Sequence, residues 1–141
     1  MDAASDLSVG SFSRLDRARW RQLVAGDLEY RIAARWTTFS LRLEAGTDVI
    51  DVAVQPIGLS FDVGTLEDGA DSIVLSGSPA AWDAFLRPLP TPPNHSILGM
   101  ERRRDDFRIT SDRHQLLRNL RPLTIALGLM RLATTIATSS R

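Results

Sequence analysis

The sequence contains neither cysteine nor lysine and has only two histidines, His95 and His114. The lack of cysteine excludes disulfides, thiolate metal sites and cysteine nucleophiles, and fits a reducing compartment. All the basic residues are arginine, a bias we read as genome composition rather than function. No metal-ligand spacing is visible, because Asp112 and His114 have no third ligand nearby. Ser96 beside His95 lacks the glycines and the strand-to-helix turn of a nucleophile elbow. Gly64, Gly69 and Gly77 are single turn glycines and form no phosphate-cradling loop. Asp105 and Asp106 are adjacent on an irregular segment and are neutralised by Arg102 to Arg104. We therefore expect no catalytic residue, no metal and no cofactor, and a function other than an enzyme's.

Long apolar runs are missing too. The longest near the C-terminus, Pro122 to Met130, is closed by Arg131 and falls short of the roughly 20 residues that a membrane-spanning helix needs. Residues Met1 to Asp6 carry acid where an export signal needs a basic start. The end, Ser139-Ser140-Arg141, is not a peroxisomal tripeptide. These features predict a cytoplasmic protein without stable membrane insertion. Charge of one sign is also lacking: 17 basic and 17 acidic residues leave a formal net charge of zero, so no field draws the chain to nucleic acid.

What is present is ordinary globular composition, 43% hydrophobic and 24% charged over 141 residues, enough for one domain with its own core. Residues 1–12 are small and polar and read as a loose arm, leaving 13–138 as the domain. Ser13 is placed to cap a helix over roughly Arg14–Ala25, and Gly26-Asp27 reads as a stop and a new cap. Leu28, Ile32 and Trp36 then recur at helical spacing, as the packed face of an amphipathic helical pair.

From Thr37 the period becomes two. Phe39, Leu41 and Leu43 alternate with polar residues, Ala45 to Asp48 make a turn, and Ile50, Val52 and Val54 form the antiparallel partner. Pro56 ends that ladder. Leu59, Phe61 and Val63 read as a third strand, Glu67-Asp68-Gly69 as a turn, and Ile73 to Leu75 as a fourth, more central strand completing a meander. Ser78-Pro79 opens a helix to Arg87 whose Trp82, Phe85, Leu86 and Leu89 share one face. Prolines 88, 90, 92 and 93 lead to a short helix around His95–Arg102, then a strand at Phe107–Ile109. Asp112 caps a last helix that Pro122 should kink or break near Arg118–Arg121.

The phrases Ile73-Val74-Leu75-Ser76-Gly77-Ser78, Trp82-Asp83-Ala84-Phe85-Leu86, and Phe107 to Asp112 followed by Leu116-Leu117-Arg118-Asn119-Leu120, in this order of elements, resemble the sterol carrier protein 2 family. That resemblance implies an α/β fold of α+β type: a five-stranded, largely antiparallel sheet with helices packed on one face and a hydrophobic tunnel for fatty acids, acyl esters or sterol-like lipids. On that reading the ligand is lined by Phe61, Trp82, Phe85, Leu86, Ile97, Leu98, Met100, Leu120, Leu123 and Leu127, with Arg87 or Arg118 near the mouth; the same side chains could instead simply fill a core. The function expected is a non-enzymatic binding or carrier domain. The alternative is an interaction module, a homodimer or the accessory of a partner enzyme, docking through the apolar C-terminal helix at Leu129, Leu132 and Ile136.

Overall fold

A computed structural model describes residues 10–62, 64, 66 and 69–134. The fold is α+β, as expected: helices against one face of a five-stranded, mostly antiparallel sheet. Helices α1 (Gly10–Ser13), α2 (Arg17–Ala25) and α3 (Leu28–Ala33) precede strands β1 (Phe39–Ala45), β2 (Asp48–Gln55), β3 (Gly58–Ser60) and β4 (Asp71–Gly77). Helices α4 (Pro79–Phe85) and α5 (Ile97–Arg103), strand β5 (Phe107–Thr110), and helices α6 (Arg113–Arg118) and α7 (Leu120–Leu132) follow.

The strand order is β3-β2-β1-β4-β5. Four expected strands are therefore not a meander: after β3 the chain crosses back, and β4 lies parallel to β1, Phe39 opposite Asp71 and Leu43 opposite Leu75. The denser apolar strand is interior, as its composition suggested, because a strand paired on both sides and covered by helices can be apolar along its length. The third strand is shorter than predicted. It stops at Ser60, and Phe61 follows it at a bend; Val63, Glu67 and Asp68 lie outside the described residues.

Strand alternation sorts the two faces of the sheet. Phe39, Leu41, Leu43, Ile50, Val52, Val54, Ile73, Leu75, Phe107 and Ile109 are buried. The opposite face carries Arg42 facing Asp51 across the β1–β2 ladder, Nε to Oδ1 at 2.8 Å. Gly46 makes the β1–β2 turn with φ of +63°, a conformation in which a Cβ would crowd the following carbonyl.

Three aromatic side chains bolt the helices down through their polar atoms. Trp20 Nε1 donates to Ala126 O at 2.8 Å, joining α2 to α7. Trp82 Nε1 donates to Glu44 O at 2.7 Å, joining α4 to the end of β1. Tyr30 Oη donates to Gln55 O at 2.6 Å, joining α3 to the end of β2, and burial pushes its phenol pKa up. Around Trp82 stand Phe12, Phe85 and Phe107 in edge-on contacts of 5.3, 5.7 and 5.7 Å, the arrangement favoured by ring quadrupoles. Gly77 makes room for them: a Cβ there would sit 2.9 Å from the Phe107 ring and 3.1 Å from the Trp82 ring nitrogen.

Several boundaries differ from expectation for local reasons. Phe12 is buried against Trp82, so the folded part begins by Gly10 rather than Ser13. Asp16, not Ser13, caps the second helix, its carboxylate accepting from Arg19 N at 3.0 Å. Asp27 caps α3 as predicted, accepting from Tyr30 N, but the packed face is the one bearing Tyr30 and Ala34. Leu28, Ile32 and Trp36 point to solvent at 71%, 55% and 89% exposure. Helix α4 ends at Phe85, which leaves Leu89 exposed in the following loop. The last helix breaks where expected, at Asn119 between α6 and α7. Pro122 then falls in the first turn of α7, where its missing N–H costs no helical hydrogen bond.

The segment between α1 and α2 meets the described C-terminal end. Leu15 bridges to Thr134, and Asp16 N donates to Ala133 O at 2.8 Å. With α2 and α3 both packed on α7, the last helix is tied to the N-terminal helices in one layer.

Candidate functional site

Helix α7 presents Leu120, Thr124, Leu127, Gly128 and Arg131 along one side, at successive offsets of four, three, one and three residues, which brings them to a single helical stripe. Opposite them stand Phe85 at the end of α4 and the segment His95, Ser96, Ile97 and Leu98 that leads into α5. Together these residues line a partly open pocket of about 100 Å³. Ser96 holds the entry of α5, its Oγ accepting from Gly99 N at 3.0 Å. Gly128 borders open space: a Cβ built there meets no atom within 4 Å.

One charged group stands in this apolar wall. Arg131 is half-buried; its Nε donates to Phe85 O at 2.7 Å and its Nη2 to His95 O at 3.0 Å. The guanidinium carbon lies 4.2 Å from the centre of the Phe85 ring, a cation–π contact that strengthens as water is excluded. Burial lowers its pKa, yet a guanidinium keeps its proton in any protein setting. It makes no ion pair with a carboxylate among the described residues. Two carbonyl oxygens orient the group and leave part of its fork without an acceptor.

Five of the ten residues expected to contact a ligand line this pocket: Phe85, Ile97, Leu98, Leu120 and Leu127. Trp82, Met100 and Leu123 are fully buried core side chains, and Leu86 is buried beside them without reaching the pocket. Phe61 lies elsewhere, 6.1 Å from the Trp20 ring and beneath Arg17. The pocket thus lies between helices, and no strand contributes to its wall. The arginine in the lining is Arg131, and neither Arg87 nor Arg118 reaches it. Arg87 is exposed outside the lining, and Arg118 is held by Asp71, Nη2 to Oδ1 at 2.6 Å. That pair, with Asn119 Nδ2 also donating to Asp71, holds the Asp71 carboxyl below its usual pKa.

His95, Ser96, Thr124, Gly128 and Arg131 complete the lining and were not among the expected residues. The signal for the last three was present, since they share the helical spacing of Leu120 and Leu127, but a polar residue on an apolar stripe reads as the edge of a buried face. The described residues contain no group of three or more histidines and carboxylates placed to hold a metal ion, and no helix long and apolar enough to cross a membrane. Comparison with protein-family models, with curated proteins and with solved structures gives no match, so the functional reading rests on the geometry of the site.

Proposed function

We propose that the protein binds a small amphiphile, with its apolar end in the α4–α5–α7 pocket and an anionic head on Arg131. The observation that carries this is the half-buried guanidinium, oriented by two backbone carbonyls and without a carboxylate partner among the described residues, in the lining of a mostly apolar pocket. Burial of methylene groups at about 0.8 kcal/mol each supplies the affinity, and the arginine fork selects the charge and direction of the head. The size of the pocket sets the class. Its volume of about 100 Å³ is smaller than a cavity of roughly 150 Å³ that accommodates benzene, so the buried part is a short alkyl group. A longer chain has to leave the pocket or widen it.

The test is calorimetric titration with hexanoate and hexanol. Wild-type protein should bind both, hexanoate more tightly. Gly128→Leu, which fills the pocket from a helical position with open space around it, should abolish binding of both while leaving the fold intact by circular dichroism. Arg131→Met should weaken hexanoate at least tenfold and spare hexanol. Undiminished binding in a folded Gly128→Leu variant would overturn the assignment.

A second reading, a docking module for another chain, is favoured by a different observation: the exposed stripe Leu28, Ile32 and Trp36 on α3 and its extension. Its surface differs from the one expected on α7. There Ile125 and Leu129 pack against the core and Leu132 is exposed; Ile136 lies outside the described residues. The pocket remains the better-supported site, because it combines shape with an oriented charge.

A further inference from the structure

His95 lines a second concavity as well as the pocket. This cleft, of about 680 Å³, is bounded by Pro92, Pro93, Asn94, Gly99 and the consecutive arginines Arg102, Arg103 and Arg104, and no carboxylate is among its lining residues. Its floor is tightly built. A Cβ on Gly99 would stand 2.8 Å from Pro93 O, so α5 is seated directly on the Pro92–Pro93 segment.

Arg104 is already committed. Its Nε and Nη2 donate to Asp106 at 2.8 and 3.1 Å, and its Nη1 donates to Asn94 Oδ1 at 3.0 Å. Arg102 and Arg103 are exposed and make no ion pair among the described residues. On the pocket side, Arg131 reaches the backbone of the same His95. The segment around His95 therefore has a cation of the pocket on one hand and the uncommitted pair of the cleft on the other.

We propose that the cleft is the head-group half of the binding site and that the head is a phosphate. The inference rests on the amphiphile reading above and gives it a chemical class. A carboxylate carries one charge, which Arg131 alone answers. A phosphate monoester carries about −1.5 to −2 at pH 7 with three strong acceptor oxygens, and several guanidinium forks match it in charge and in geometry. The ligand then lies across His95, with a short apolar tail between α4, α5 and α7 and the phosphate toward Arg102 and Arg103.

Calorimetric titration with hexyl phosphate, hexanoate, hexanol and inorganic phosphate tests this on the full chain at constant ionic strength. Hexyl phosphate should bind at least tenfold tighter than hexanoate, and inorganic phosphate at least tenfold more weakly than hexyl phosphate. In the double variant Arg102→Gln/Arg103→Gln, both at exposed positions that the fold does not depend on, hexyl phosphate should fall to the level of hexanoate, and hexanol should be unaffected. Equal affinities for hexyl phosphate and hexanoate, or a double variant that keeps full hexyl phosphate affinity, would overturn the phosphate head while hexanol binding still upholds the pocket. Inorganic phosphate binding as tightly as hexyl phosphate would show a free-phosphate site unconnected to the pocket and would equally overturn the proposal. Absence of hexanol and hexanoate binding would instead remove the amphiphile reading on which it rests.

Discussion

Gly128 is a glycine in the middle of a helix with nothing within 4 Å of the position its Cβ would take. Glycine at such a place costs about 0.5–1 kcal/mol relative to alanine, so Gly128→Ala should raise the melting temperature, and the Leu variant should retain the fold while losing the pocket. A calorimetric melt in which Gly128→Ala is less stable than wild type would show that the space is not free. Asp106 offers a second test at this scale. Its Oδ2 accepts from Ser78 Oγ, the oxygen that also accepts from Ala81 N to cap α4, and the Arg104 side chain and this serine hold its carboxyl at about 2. In the unfolded chain the same carboxyl titrates near 3.9, taken as roughly the free aspartate value. As pH falls from about 4 toward 2, the unfolded state takes up the proton first, so the stability this residue contributes is present above that window and lost through it. Asp106→Asn should flatten the fall of the urea midpoint across that window, and an unchanged slope would place the acid sensitivity elsewhere. Asp71 is held low by Arg118 and should retain its own part of the slope. The pocket was half legible at this scale: Phe85, Ile97, Leu98, Leu120 and Leu127 follow from apolar spacing. Whether such a stripe fills a core or walls a cavity depends on what faces it, and so Trp82, Met100 and Leu123 could not be told apart from them by pattern.

Helix α3 shows what a single element does and does not disclose. Its cap at Asp27 was readable, because the chemistry lies within the turn itself. Its orientation was not: Leu28, Ile32 and Trp36 make one apolar stripe and Tyr30 and Ala34 another, and the choice was made by the Tyr30 hydroxyl reaching Gln55 O and by contact with α7. The two sides should respond to substitution in opposite ways. Replacing Leu28, Ile32 and Trp36 together with glutamine should change the urea-derived stability by no more than about 0.5 kcal/mol per site, as for surface positions. Tyr30→Phe should cost about 1 kcal/mol or more, since Gln55 O loses a donor in a part-buried setting. A large loss from the triple variant would mean that the stripe is covered in solution, as the docking-module reading requires. The break between α6 and α7 was the more legible feature, because proline acts on its own backbone and the preceding turn, wherever the helix packs.

At the scale of the whole molecule, the alternating strands and their approximate order of burial could be read from period alone, whereas helices on one face of the sheet were expected only from the family resemblance. The return of β4 to the side of β1 could not, because the apolar pattern of a strand states which face is buried and not which neighbour it takes. The other global feature hidden from pattern is the bridge from Leu15 to Thr134 with the bond from Asp16 N to Ala133 O. Its consequence is topological. Between those residues the polypeptide is a ring with a single nick, and the position of the nick is not dictated by the packing. Joining Thr134 to Gly10 through a glycine-serine tether long enough to pass back along α1, so that Phe12 stays against Trp82, and reopening the ring at the exposed Gly46–Thr47 turn should give a protein with the parent's far-UV spectrum and a cooperative melt within several degrees of it. By the same geometry, the unit from Gly10 to Thr134, which keeps Phe12 against Trp82, could be spliced into a surface loop of an unrelated host protein.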